Sequence, residues 1–136
     1  MNENKPIISV DFDGVIHSYE RGWQYGEIYG DIVPGFFDWA ENVMSQFNIV
    51  IFSSRSSNPY MLEGMSRWMW LKYAEWCKSK NYKASPDMFY EVFGFPQDKP
   101  LAFLTIDDRV ICFKGDWFAP DLKTEALLEF KPWNSN

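Results

Sequence analysis

The sequence predicts one α/β domain in which helices cover a mainly parallel sheet in three layers. Three observations lead there. Short apolar runs alternate with longer segments of helical period. Three of those runs stop abruptly at polar groups, Asp11/Asp13, Ser53/Ser54 and Asp107/Asp108. The 136 residues, 46% hydrophobic and 19% aromatic, are enough to bury a single core spanning 1–136.

Residues 6–12 read as a buried strand, β-branched and apolar, ending at the acidic pair. Residues 17–34 carry three glycines, many aromatics and no steady period, and read as a flap or short hairpin. Phe36, Ala40, Val43 and Phe47 then fall at helical spacing, with Pro34 suited to the first turn. The run 48–52 (NIVIF) is a second buried strand. Asn58-Pro59 supplies an N-cap and an N1 proline for a long helix to about residue 80. On that helix Leu62, Met65, Met69, Tyr73 and Trp76 share a face, with Glu63, Arg67 and Lys78 roughly opposite. Trp68 and Leu71 fall outside the stripe and are expected to pack on neighbouring loops or a second subunit. Residues 88–93 read as a strand, 101–106 (LAFLTI) as a stronger one, and VICF and DWF around Lys114-Gly115 as a β-hairpin. Residues 121–129 form a final short helix before the Phe130-Lys131-Pro132-Trp133 tail.

A net charge of −6 and a sequence pI near 4.7 argue against a surface that coats nucleic acid, although a local basic groove is compatible with them. The first residues lack the basic start and apolar core of a signal peptide, and no run approaches a membrane span, so a cytoplasmic location is expected. Cys77 and Cys112 form no CxxC pair and are expected to stay reduced. His17 is the only histidine, so a divalent ion would need oxygen ligands, which favours magnesium or calcium over zinc.

Ligands of open α/β sheets bind beyond the carboxyl ends of the strands. Fold logic therefore gathers Asp11/Asp13, Ser53/Ser54 and Asp107/Asp108 at one edge, where a cation would resolve the repulsion between acidic pairs.

The run Asp11-Phe12-Asp13-Gly14-Val15-Ile16 resembles the DxDG[TV][LI] signature of the haloacid dehalogenase superfamily, most of whose members are Mg²⁺-dependent phosphotransferases. Ser53, Lys99 and Ile106-Asp107-Asp108 are similar to its later motifs, in order. The resemblance spans nearly the whole chain and implies a Rossmann-like fold. It implies that Asp11 is the nucleophile, forming an aspartyl-phosphate, and that Asp13 is the acid and then the base. It gives Ser53 and the Ser54 amide to the phosphoryl oxygens, and Lys99 to charge stabilisation. Mg²⁺ would be held by Asp11, the Asp13 backbone carbonyl, Asp107 and Asp108. Gly14 suits the tight turn, where a backbone N–H can approach phosphate. Its second aspartate favours phosphoester hydrolysis over carbon–halogen cleavage.

Other readings stay open. Ser53 could simply cap a turn, Lys99 could be an ordinary loop lysine with Lys114 its competitor, and Arg55 and Arg109 could contact substrate or pair with the acidic edge. His17 reads as a flap residue rather than a catalyst. Only a flap and a single helix stand where larger members insert a cap, so a small capless member of the type found in bacteria and their phages is implied. Its substrate would be a phosphorylated molecule, with a nucleotide or a polynucleotide 3′-phosphate as the alternative and Trp23, Tyr25 or Tyr29 able to stack a base. A phosphate-ester binding or scaffold module without turnover is the alternative of another class. Oligomeric state is left open.

Overall fold

The computed structural model describes residues 2–135. Strand β1 (Ile7–Val10) leads through the flap to helix α1 (Phe36–Val43). Strand β2 (Asn48–Ile51), helix α2 (Pro59–Ser79), helix α3 (Pro86–Val92) and the two-residue strand β3 (Phe93–Gly94) follow. Strand β4 (Leu104–Ile106), a 3₁₀ turn (Pro120–Leu122) and helix α4 (Thr124–Leu128) complete the order. The four strands pair in parallel in the order β3-β2-β1-β4, an α/β arrangement of Rossmann-like character.

Register decides the core. Ile8 and Val10 lie opposite Ile49 and Ile51, and these four face Phe37 and Ala40 of α1, Met65 and Met69 of α2, and Phe89 of α3. Tyr73 bridges Phe37, Phe89 and Phe93 through ring contacts, so the stripe on α2 is the packed face that its spacing implied. Asn58 Oδ1 accepts from the Tyr60 and Met61 amides and caps α2 ahead of Pro59. Trp68, off the stripe, packs edge-on against Phe12, whereas Leu71 is exposed.

Four expectations are corrected. Residues 88–93 are mostly helix, because Ser85-Pro86-Asp87 is an N-cap, an N1 proline and an acidic first turn in succession, and Ser85 Oγ accepts from the Met88 amide. Only Phe93–Gly94 reaches β2. The hairpin around Lys114-Gly115 is absent: Asp116 Oδ1 accepts from the Phe118 amide in a local turn that competes with strand pairing, and the Phe113 and Trp117 rings sit 4.7 Å apart. Helix α1 is entered through Gly35, in the left-handed region at φ 95°, rather than in a first turn at Pro34.

The second helical layer is also missing from the connection between β3 and β4. Those strands are opposite edges of the sheet, roughly 14 Å apart across three strand spacings. The connecting residues 95–103, with prolines at Pro96 and Pro100, contain no helix. Helices α1, α2 and α3 consequently share one core cluster on one face.

The flap forms no regular element. Its base is closed like a hairpin by an antiparallel bridge between His17 and Ile32, with the Ser18 amide on Asp31 O and the Val33 amide on Ile16 O. Among the described residues no helix is long and apolar enough to cross a membrane, and Cys77 and Cys112 are both free thiols.

Candidate active site

Parallel pairing brings the carboxyl ends of β1, β2 and β4 to one edge. The Asp11 amide donates to Ile106 O at 2.9 Å, which sets Asp11 beside the loop that begins at Asp107. After Asp11 the chain turns tightly: Phe12 O accepts from the amides of Val15, Ile16 and His17. Gly14 makes the turn at φ +85°, and a Cβ there would lie 2.3 Å from Asp108 Oδ2, so two constraints exclude a side chain.

Asp11, Asp107 and Asp108 each offer a carboxylate oxygen, and these atoms lie within 4.8 Å of one another. Burial, then repulsion from Asp107, pushes the Asp11 carboxyl up to about 7. Asp108 is also raised, chiefly by burial, and its buried Oδ1 has no hydrogen-bond partner among the described residues. Asp107 Oδ1 accepts from the Arg109 amide and holds the loop in place. Hard oxygen donors, mutual repulsion and an orphaned carboxylate oxygen are together the chemistry that a divalent cation such as Mg²⁺ resolves. No family model, curated protein or solved structure matches this chain.

Asp13 is oriented differently from its neighbours. Arg55 donates from Nε to Oδ2 at 2.8 Å and from Nη2 to Oδ1 at 3.1 Å. His17 Nδ1 lies 2.9 Å from the same Oδ1, while its Nε2 accepts the Gly30 amide, which places the ring proton on Nδ1. Burial pushes the Asp13 carboxyl up, but the hydrogen bonds from His17 and Arg55 outweigh it and hold it below the usual range. The Asp13 side chain is thus outside the acidic triad.

Arg55 is 1% exposed, and its third contact, Nη1 to Gly26 O at 2.7 Å, ties the flap to Asp13. Its guanidinium also lies 5.0 Å from the Trp23 ring centre. This arrangement is the acidic-edge pairing, not the substrate contact, of the two roles open to Arg55. His17, fully buried, is part of the same clamp rather than a free flap residue.

Ser53, at the end of β2, is buried, and its Oγ accepts from the Arg55 amide at 2.9 Å. That leaves its own proton for an incoming oxygen. Ser54 is exposed next to it. Lys99 and Lys114 are both exposed and make no ion pair among the described residues. The tail is a partner that sequence reasoning left without a role. Trp133 Nε1 donates to Gly14 O at 2.7 Å and Asn134 Nδ2 to Ser18 O at 2.6 Å, across more than a hundred residues of chain.

Proposed function

We propose that this chain is a capless Mg²⁺-dependent phosphomonoester hydrolase of the haloacid dehalogenase type, acting through an aspartyl-phosphate on Asp11. The observation that carries this reading is the convergence of Asp11, Asp107 and Asp108 at the carboxyl edge of a parallel sheet, beside Ser53. Asp11, Asp107, Asp108 and the Asp13 backbone carbonyl would hold the ion. Bound there, Mg²⁺ would lower the pKa of Asp11 and offset the charge of a phosphoryl group.

The remaining steps belong to the chain. Asp11 presents a carboxylate oxygen to phosphorus from a backbone fixed by Ile106 O. Ser53 Oγ donates to a phosphoryl oxygen, while the Ser54 amide lies beside it on the open side. An ionised Asp13 is suited to the second half-reaction, taking a proton from the water that attacks the phosphorylated Asp11. Protonating the leaving group in the first half requires Asp13 to hold a proton, and therefore the Arg55 clamp to loosen. Tyr25, fully exposed in the flap, and the half-exposed Trp23 favour a substrate with a planar group, such as a nucleotide or a nucleic-acid end.

One observation favours a second reading, a phosphate-ester binding module without turnover. Both oxygens of Asp13 are engaged by Arg55 and His17.

An aryl phosphate assayed with Mg²⁺ separates the two. The hydrolase reading expects turnover that EDTA abolishes and Asp11→Asn lowers by at least roughly a thousandfold. Absence of turnover with binding of Mg²⁺-beryllofluoride, a mimic of phosphorylated aspartate, would favour the binding module. Absence of both overturns the site.

A further inference from the structure

The isolated chain exposes more surface than its mass accounts for. Its accessible area is 9296 Å² at 16.1 kDa, whereas a compact monomer of that size exposes roughly 7,400 Å². The excess of roughly 1,900 Å² is accompanied by large apolar side chains concentrated after residue 100. Leu101, Phe103, Trp117, Phe118 and Leu128 are each at least 70% exposed.

The same region contains a free sheet edge. Strand β4 is the terminal strand beside β1, and its three residues are all exposed. Free edges are ordinarily blunted by shortness, a lysine, a proline or a bulge, and three-residue β4 has only the first of these. Residues 101–106, Leu-Ala-Phe-Leu-Thr-Ile, carry no charge and no proline.

We propose that the β4 edge and the apolar segment after it form the interface of a two-fold symmetric homodimer. The area favours a second copy. The surplus exceeds the roughly 800 Å² per partner of an ordinary complex, so the exposed apolar surface is ample for a stable dimer. The edge favours it as well, because antiparallel pairing of β4 with its own copy about a two-fold axis satisfies the free backbone groups of both chains at once. Two chains of net charge −6 repel at long range, and a charge-free run at the centre lets them meet without opposing like charges. Association is therefore driven by apolar contact and strengthened by salt. None of this depends on the reaction assigned to the acidic site.

Sedimentation equilibrium of the full chain at low and high salt tests the proposal. A mass of twice 16.1 kDa, persisting at high salt, is expected. A single-chain mass, or an open-ended series of larger species, overturns it without recourse to any variant. The interface is located by two variants, Phe103→Glu on the edge strand and Trp117→Lys/Phe118→Glu on the exposed segment. The second pair changes side chains that contribute little to the protomer core, so native circular dichroism is expected. Either variant should weaken the dimer by roughly thirtyfold or more. A dimer of unchanged strength in a natively folded variant places the contact elsewhere and overturns the proposal.

Discussion

Phe89 on α3 and Phe118 beyond β4 are the same side chain in opposite settings. Phe89 is fully buried among Trp70, Tyr73, Phe93 and Phe95, whereas Phe118 is 89% exposed. The contrast extends to their regions. Up to β3, helices and strands close on one apolar cluster; after residue 100 the apolar side chains are left on the surface, and α4 contributes no buried residue. The candidate site draws on both, with Asp11 and Ser53 from the packed region and Asp107 and Asp108 from the other. One wall of the site is thus fixed by the core. The other is held by β4 pairing, by the Gly14–Asp108 contact and by the Trp133 hydrogen bond.

Truncating the two phenylalanines should separate the two regions most strongly. Phe89→Ala should lower the unfolding free energy by about 3–5 kcal/mol in urea titrations. Phe118→Ala should change that of the dilute protomer by no more than about 0.5 kcal/mol and act only on concentration-dependent association. Comparable losses at the two positions would mean that the region after residue 100 packs as tightly as the region before it.

The next effect lies where the packed region meets the flap. Arg55→Ala removes the cation that pairs with Asp13 and holds Gly26 O, which should destabilise by about 3 kcal/mol. Arg55→Lys should not restore it, since an ammonium cannot replace the forked contact. A near-neutral Arg55→Ala in thermal unfolding would show that the flap is held by its own bridge alone.

The smallest effect is a pH dependence across the seam between the two regions. Asp11 has a folded-state pKa of about 7 against an ordinary value of 3.8, so the native state binds the proton more tightly than the unfolded chain. That contribution to stability is complete below 3.8 and is lost as pH rises through about 7. In EDTA, Asp11→Asn should therefore be more stable than wild type by roughly 2 kcal/mol above about pH 8, a figure discounted for partial solvent access. The gap should close as the pH is lowered toward 4. Added Mg²⁺ should stabilise the wild type and leave the variant behind. A gap independent of pH would remove the repulsion on which the metal assignment stands.

Much of the fold was legible because its signals are local. Asn58-Pro59 marked the start of α2, the stripe from Leu62 to Trp76 marked its packed face, and apolar runs marked β1, β2 and β4. The failures came where one local signal opposed another. Residues 88–93 have the composition of a strand, yet the capping sequence before them nucleates a helix. VICF and DWF look like paired strands, yet Asp116 bonds to a nearby amide instead. For the site, strand-end positions identified Asp11, Asp107, Asp108 and Ser53. Spacing gave no hint that Asp13, two residues from Asp11, would turn away to Arg55 and His17.

Which residues are apolar, where helices can begin and where carboxylates follow strands could be read along the chain, because these properties depend on residue type and near neighbours. Which carboxylates meet, which arginine clamps Asp13 and the return of Trp133 to Gly14 emerge only once the chain is folded. Those relations depend on strand order and register, and parallel pairing of β1 with β4 joins residues almost a hundred positions apart through backbone bonds that any side chains can make. The uncovered edge of β4 is likewise a property of the assembled sheet, since an apolar run becomes an exposed face only when no further strand is laid beside it.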